Sequence, residues 1–358
     1  MPKKRSLSMT LVLIIMLLCS CTRPARLEEL NIAYGVAFDA VEQEGHFKAT
    51  YHIPVYQTDD VENVTVSAVG NSSKETQGLA ELQLTGKFGD DKMKLILIDK
   101  KLAEKGINPL IQPFIKDRRV PVLFKMAITE QSAAAIIETN KKPIDPSTQI
   151  VNMITENENQ NAIPTNHLHI FLRDWTSLGE DPFLPLLSMS QEKTQISGIA
   201  LFKNDKVVDT IKGYKNLLLF TIIQQSAQNA KYQFNSGPDL LTARIKDNSV
   251  RYKWNNKVSP PQMDITVDIE ALLYESTHVF NMPTQSEYGV IKQSLDQDLK
   301  MSLEKMLRSF QERNIDPIGI GSIARSKERH WNAEDWDSIY PTVQIKVHVN
   351  SNFVGDDM

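Results

Sequence analysis

The stretch PTQSEYGVIKQSLDQDLKMSLEKMLRSF, residues 283–310, carries the strongest fold signal because its apolar side chains recur every three or four residues. These side chains are Tyr288, Ile291, Leu295, Leu299, Leu303, Met306 and Phe310. The spacing places them on one face of an α-helix, and a helix of this length spans about 40 Å. Thr284 and Glu287 have the spacing of a capping box, which predicts that the helix begins there.

A strict alternation of apolar and polar residues follows near the end of the chain, in VQIKVHV, residues 343–349. A period of two indicates a β-strand with one buried face. We expect the apolar stripe of the long helix to pack on the sheet that ends in this strand, because long helices are marginal in water without such burial. The polar face of the helix carries Lys292, Asp296, Lys300 and Arg308 and is expected to face water or a partner.

Upstream of the long helix, strand and helix signals mix without a regular βαβα rhythm. Strands are predicted in hairpins at residues 30–57 and 198–211, and at residues 63–69, 93–98, 120–128, 243–246, 250–254 and 265–269. Helices are predicted after residue 71, from residue 164, and at residues 100–105, 130–139, 145–156 and 214–225. This mixture predicts an α+β fold with mixed, largely antiparallel sheets and packed helices.

Chain length predicts more than one domain. Removal of the first 20 residues leaves 338, which exceeds the roughly 250–300 residues that one hydrophobic core serves. Residues 179–195 contain Pro182 and Pro185 and few helix signals, so they are predicted to separate two α+β domains, residues 22–192 and 193–358. The formal net charge is −4 and no basic patch is visible, which excludes nucleic acid as a partner.

The first 20 residues are typical of a bacterial lipoprotein signal peptide. Lys3-Lys4-Arg5 forms a basic start, and residues 7–18 are mostly apolar but too short to span a bilayer as a helix. Leu18-Cys19-Ser20-Cys21 matches a lipobox, with small Ser20 before the cleavage point, so Cys21 is the predicted lipid attachment residue. The alternatives are an uncleaved anchor or an ordinary secreted protein.

Motifs that could carry chemistry have simpler structural interpretations. Gly319-x-Gly321-x-x-Ala324 has the spacing of a dinucleotide loop but follows a helix, so a tight turn with close backbone packing is the better interpretation. His167 and His169 point to opposite sides of a predicted helix and cannot share a metal ion. The acidic pairs Asp90-Asp91 and Asp356-Asp357 are expected to be solvated loop and tail charges. Trp331, Trp336 and Tyr340 are expected to form a satellite core or, alternatively, a partner contact. No catalytic, cofactor-binding or metal-binding residues are predicted.

Several segments in fixed order resemble one family along essentially the whole mature chain. They are residues 28–39 (EELNIAYGVAFD), 95–99 (LILID), 102–107 (LAEKGI), Gly179-x-Asp181-Pro182, residues 198–207 (GIALFKNDKV), residues 316–321 (DPIGIG), Trp331, Trp336 and the closing strand. The chain is similar in these segments to the Ger(x)C family, the lipoprotein C subunits of nutrient germinant receptors of spore-forming bacilli.

The resemblance implies a non-enzymatic lipoprotein on the outer face of the spore inner membrane, held by diacylglycerol and acyl chains such as palmitate on Cys21. It also implies that the chain works with the membrane-embedded A and B subunits to trigger germination. The rival hypothesis is a solute-binding lipoprotein of an importer, which requires two α/β lobes around a cleft. A lipid-anchored hydrolase lacks a recognisable set of nucleophile and base.

Overall fold

The computed structural model describes residues 30–56, 61–116, 123–139, 145–225, 227–276 and 284–354. The predicted signal peptide, the lipid attachment residue Cys21 and the pair Asp356-Asp357 lie outside these residues. Among the described helices, none combines the length and the apolar character needed to cross a membrane.

The described residues between 30 and 212 form ten strands: β1 (Leu30–Ile32), β2 (Gly35–Ala40), β3 (Phe47–Tyr56), β4 (Val61–Gly70), β5 (Lys87–Gly89), β6 (Leu95–Asp99), β7 (Lys125–Thr129), β8 (Phe183–Ser190), β9 (Lys193–Lys203) and β10 (Lys206–Lys212). Eight of them form one sheet in the order β10-β9-β8-β7-β6-β2-β3-β4, while β1 and β5 form a separate parallel pair.

The centre of the large sheet is parallel, since β2, β6, β7 and β8 run in the same direction. Antiparallel hairpins flank this centre, β3 and β4 on one side and β9 and β10 on the other. Every residue of β6 is buried, as expected for a strand covered on both faces. The α+β class with mixed sheets is confirmed, but the sequence does not predict the parallel centre, because pairing between distant strands leaves no local pattern.

The helices that accompany the large sheet are α1 (Ser73–Glu81), α2 (Lys100–Ala103), α3 (Asn108–Lys116), α4 (Ala133–Thr139), α5 (Pro146–Asn159) and α6 (Leu168–Thr176). Ser72 caps α1 and Asp145 caps α5, each by accepting a hydrogen bond from a backbone N–H group in the first turn. The helix predicted from Pro164 begins later, at Leu168, because His167 keeps an extended backbone.

The remaining elements build a second sheet and its cover: α7 (Tyr214–Gln224), β11 (Ala230–Ser236), β12 (Asp239–Asn255), β13 (Gln262–Ser276), α8 (Gln285–Glu312), α9 (Ile320–Lys327), α10 (Ala333–Ile339), a 3₁₀ turn (Tyr340–Thr342) and β14 (Gln344–Phe353). The strand order is β11-β12-β13-β14. In this sheet only β13 and β14 pair in parallel. The helices α8, α9 and α10 between them return the chain to the end of the sheet where β13 begins, so β14 runs in the same direction as β13.

The structure confirms the predicted cap and the predicted apolar stripe of the long helix α8. Thr284 and Glu287 form both hydrogen bonds of the capping box. The ring centroids of Tyr288 and Phe353 lie 6.0 Å apart, and Gln311 Nε2 donates to the Val343 carbonyl at 2.9 Å, so α8 runs antiparallel to β14 along its length. The buried side chains of the helix are Ile291, Leu295, Leu299, Leu303, Met306, Leu307 and Phe310.

Strand pairing crosses the predicted domain boundary between residues 192 and 193. β8 and the start of β9 lie within residues 179–195, the stretch predicted to separate the two domains, and the two strands pair from Phe183–Leu201 to Ser190–Lys193. The stretch is therefore largely paired β-structure and not a loop between the two halves. The bounds 22–192 and 193–358 stay a prediction about units that fold alone, and one continuous hydrophobic core contains residues from both sides of them.

Candidate functional site

Motifs that carry the family resemblance meet where the large sheet contacts the second half of the chain. Asp181 precedes β8, and Lys203 ends β9. Asp316 lies in the turn between α8 and α9, while Trp336 and Asp337 lie on α10. We call these five residues the Asp316 junction. They come from four separate segments, so only the folded chain brings them together.

Asp316 binds two turns to each other. Its buried carboxylate accepts hydrogen bonds from the N–H groups of Ile320 (3.0 Å) and Gly321 (2.7 Å) at the start of α9. Its backbone N–H donates to the Asp181 carboxylate at 2.8 Å, and its carbonyl accepts from the Asp181 N–H at 2.9 Å. A helix start favours negative charge, so a carboxylate suits this position.

Lys203 extends the Asp316 junction to α10. Its ammonium nitrogen lies 3.3 Å from Asp181 Oδ2 and 3.1 Å from Asp337 Oδ1. Burial disfavours the charged ammonium, but the two carboxylates outweigh that effect and raise the pKa of Lys203 above its usual value. The end of β9 is thereby tied both to the turn before β8 and to α10.

Two carboxyl groups of the junction, Asp316 and Asp181, and the neighbouring Glu180 have raised pKa values. Burial raises the pKa of Asp316 to about 7, although its two hydrogen bonds from backbone N–H groups act in the opposite direction. Burial also raises the pKa of Glu180 and of Asp181. The charges of these two carboxylates further raise the pKa of Asp316. Burial and the neighbouring carboxylates therefore favour the protonated form of Asp316 up to about pH 7.

Two glycines let the segments of the junction approach. Gly179 has φ of +81°, and a Cβ at this position would lie 2.6 Å from the Gly321 carbonyl carbon. A Cβ on Gly321 would lie 2.7 Å from Gly179 Cα and would also collide with the Trp336 indole. The close backbone packing predicted for the Gly319-x-Gly321 motif is confirmed. Because α9 follows a turn rather than a strand, the motif lacks the context of a dinucleotide site.

Trp336 anchors the aromatic cluster that the sequence predicts before the last strand. Its ring centroid lies 6.0 Å from that of Trp331 and 5.8 Å from that of Tyr340. Trp254 from β12 joins the cluster at 5.8 Å. Trp336 is 5% exposed and Tyr340 is 1% exposed. The cluster is therefore core, and the sequence does not predict the contribution of Trp254.

A small cleft of about 190 Å³ opens beside the junction, between Trp175, Glu180, Asn204 and Tyr340. It has the volume of a few water molecules, since water occupies ~30 Å³ per molecule. Three buried polar atoms of its lining, Asn314 Oδ1, Trp336 Nε1 and the Tyr340 hydroxyl, have no hydrogen-bond partner among the described residues. The arrangement joins two parts of the molecule and shows no nucleophile paired with a base.

The prediction that His167 and His169 point to opposite sides of one helix is wrong, because His167 lies before α6 and has an extended backbone. The two histidine rings have centroids 6.1 Å apart. Across the part of the chain that the structure describes, no group of three or more His, Cys, Asp and Glu residues is suited to a metal ion. Asp90 differs from its prediction as a solvated charge, because its side chain is buried near Lys74.

A buried hydroxyl–imidazole pair is the polar contact that sequence reasoning misses. His52 Nδ1 lies 2.8 Å from Ser147 Oγ, and His52 Nε2 lies 3.0 Å from Asn63 Oδ1. Burial lowers the pKa of His52, which favours the neutral ring. His52 and Ser147 are both 0% exposed, and Ser147 Oγ packs against Gly35, so a substrate has no route to the hydroxyl. The pair bonds α5 to β3.

Sequence comparisons place both halves of the chain in one family. Residues 24–189 match the profile described as the spore germination protein N-terminal domain, and residues 197–355 match the profile described as spore germination B3/GerAC-like, C-terminal. The two matched segments cover most of the chain and define a class of spore germination proteins. The chain belongs to the Ger(x)C family.

The chain is similar to curated proteins from two bacilli. It is 23% identical to the spore germination protein GerQC of Bacillus cereus, over 92% of this chain and 93% of that protein. It is 18% identical to the spore germination protein B3 of Bacillus subtilis (strain 168), over 95% of each chain. The similarity is weak per residue but extends over nearly the full length.

A solved structure shares the fold. The crystal structure of the GerBC protein aligns with a TM-score of 0.61 and 15% identity, and the alignment covers 90% of this chain and 97% of that chain. At this identity the likeness concerns the fold alone. It supports the arrangement of the two sheets over nearly the whole length of both proteins.

Proposed function

We propose that this chain is a non-enzymatic, lipid-anchored subunit of a spore nutrient germinant receptor. It acts with the membrane-embedded A and B subunits on the outer face of the spore inner membrane to trigger germination. The observation that carries this proposal is the match of both family segments, residues 24–189 and 197–355, combined with the lipobox that ends in Cys21.

The anchor follows from the chemistry of the lipobox. A thiol must follow the cleavage point, and Cys21 is preceded by the small residue Ser20. Stable attachment requires more than one acyl chain, because a single myristoyl chain binds only marginally. The proposed diacylglycerol and acyl groups on Cys21 meet that requirement. Residues 22–29 then connect the anchor to β1.

Cys21→Ala is expected to abolish lipid labelling and to release the protein from membranes or leave it unprocessed. Metabolic labelling with a fatty acid, followed by membrane fractionation, measures both effects. Cys19→Ala is the matched control, since it removes the neighbouring thiol and leaves the cleavage pattern in place. A cleaved Cys21→Ala protein that stays on the membrane without acyl groups would refute the anchor.

A structural role for the buried polar groups supports the non-enzymatic part of the proposal. Asp316 and Asp181 bind two turns, and His52 and Ser147 bond a helix to a strand. The rival hypothesis of an importer's solute-binding protein receives no support from the fold. The described residues form one large mixed sheet and one four-stranded sheet rather than two similar α/β lobes.

A further inference from the structure

A cleft of about 590 Å³ lies between the end of α5 and the segment before β11, and both of its walls are rich in amide side chains. One wall is the end of α5 and the following turn, residues 157 and 159–162. The other is the segment that leads into β11, residues 228–231, and Tyr214 of α7 lies between them. The amides are Asn157, Asn159, Gln160, Asn161, Gln228 and Asn229.

The two walls are held in place before any ligand arrives. Gln225 Nε2 donates to Asn161 Oδ1 at 3.3 Å, which ties the first wall to the end of α7. The buried Asn248 accepts from the Ala227 N–H and donates to the Ile222 carbonyl at 2.9 Å, which holds the second wall against the same helix. A preformed cleft loses little conformational entropy when it binds.

Several polar groups of the cleft have no partner in the protein. The side chains of Asn159, Gln228 and Asn229 make no hydrogen bond within the described structure. Each amide offers both a donor and an acceptor. The lining contains no carboxylate, and its one charged residue, Lys231, holds its ammonium over the Tyr274 ring at 4.8 Å. The cleft is therefore polar but nearly neutral.

Tyr214 supplies an apolar surface in this polar cleft. The residue is 61% exposed. Tyrosine rings are large apolar surfaces that commonly become buried when a partner binds. The Tyr214 hydroxyl accepts a hydrogen bond from the Lys231 N–H at 3.4 Å, which limits the movement of the ring. The exposed tyrosine ring can stack against the C–H face of a ligand ring. The free amides beside it can form paired hydrogen bonds with neighbouring hydroxyl groups of the same ligand.

We propose that this amide cleft, residues 157, 159–162, 214, 218 and 228–231, binds a short neutral oligosaccharide. Hydroxyl groups both donate and accept, so vicinal hydroxyls match the free amide groups of Asn159, Gln228 and Asn229. One sugar ring stacks on Tyr214. A charged ligand would lack a counter-charge in the cleft, since Lys231 is engaged elsewhere.

The test is saturation-transfer NMR on the full-length lipoprotein in a detergent without a sugar headgroup. Maltotriose and N,N′,N″-triacetylchitotriose are the probes, and titration gives the Kd of each. Transfer to at least one probe is expected in the wild type. Tyr214→Ala is expected to weaken that binding at least tenfold, because it removes the stacking ring.

Asn229→Gly introduces no backbone strain, since Asn229 has φ of +60° and glycine adopts that conformation freely. It is expected to weaken binding severalfold. Asn204→Gly is the matched control: its φ is +57°, it lies in the β9–β10 turn, and it should bind as the wild type does. Absence of transfer to both probes, or equal binding by all variants, would overturn the proposal.

Discussion

Asp316 connects the two parts of the molecule because one residue bonds to the start of α9 and to the turn before β8. Sequence analysis identifies Asp316, Gly321 and Trp336 as members of family motifs. It does not predict that they meet Asp181 and Lys203, because those partners lie more than a hundred positions away in the chain. The same distance problem hides the contact between His52 and Ser147.

The raised pKa of Asp316 predicts a specific dependence of stability on pH. An acid that binds its proton more tightly in the folded chain makes the free energy of unfolding fall as pH rises. With an unfolded pKa of ~3.9 and a folded pKa of about 7, the loss falls between about pH 4 and pH 7. Asp316→Asn cannot titrate, so it should lack this part of the profile.

Denaturant unfolding of both proteins between pH 4 and pH 8 measures the effect. The wild type is expected to lose a few kcal/mol relative to Asp316→Asn across that window, since one pKa unit corresponds to about 1.4 kcal/mol. His52, whose pKa is lowered, adds the opposite trend, but it is present in both proteins and cancels in the difference. Parallel stability profiles would show that Asp316 does not titrate there.

At the scale of elements, the cap and the apolar stripe of α8 could be predicted because both are local patterns, whereas the burial of Leu307 beside that stripe was not predicted. β8 could not be predicted, because a proline such as Pro185 is uncommon inside a central strand. The structure explains its place: β7 pairs only with Leu186 and Leu187, so the missing N–H of Pro185 lies just before that ladder begins. Pro185 argues locally against a strand, but the pairing of β8 with β9 along its other edge outweighs that preference.

The buried stripe of α8 predicts large losses from truncation. Leu299→Ala or Leu303→Ala is expected to lower the free energy of unfolding by about 2–5 kcal/mol, because each leaves a cavity among fully buried side chains. Met301→Ala is the matched control on the same helix, since Met301 is 54% exposed. Its cost should be small. Chemical denaturation measures all three, and equal losses would contradict the assigned burial.

At the scale of the whole molecule, the family segments meet within residues 190–196 while the large sheet continues to Lys212. The boundary between the two family segments therefore lies one hairpin, β9 and β10, before the end of the large sheet. The sequence predicts two halves from chain length and proline content. It does not show that β9 and β10 complete the sheet of the first half, because strand order is a property of the folded chain.

Two truncated chains distinguish these boundaries. Residues 22–212 keep the whole large sheet, whereas residues 22–192 lose β9 and β10 and expose the edge of β8. We expect the longer chain to show more β-structure by circular dichroism and a more cooperative unfolding transition. The shorter chain is expected to aggregate through its unpaired edge. Equal folding of the two would support independent units divided at residue 192.

We propose that this chain works as a receptor subunit with membrane-embedded partners. The most direct measurement is affinity purification of the tagged chain from detergent-solubilised spore membranes, with mass spectrometry of the bound proteins. Co-purification of both the A and the B subunit is the predicted result, with Cys21→Ala recovering less of either. A folded, anchored chain that recovers neither subunit would contradict the claim.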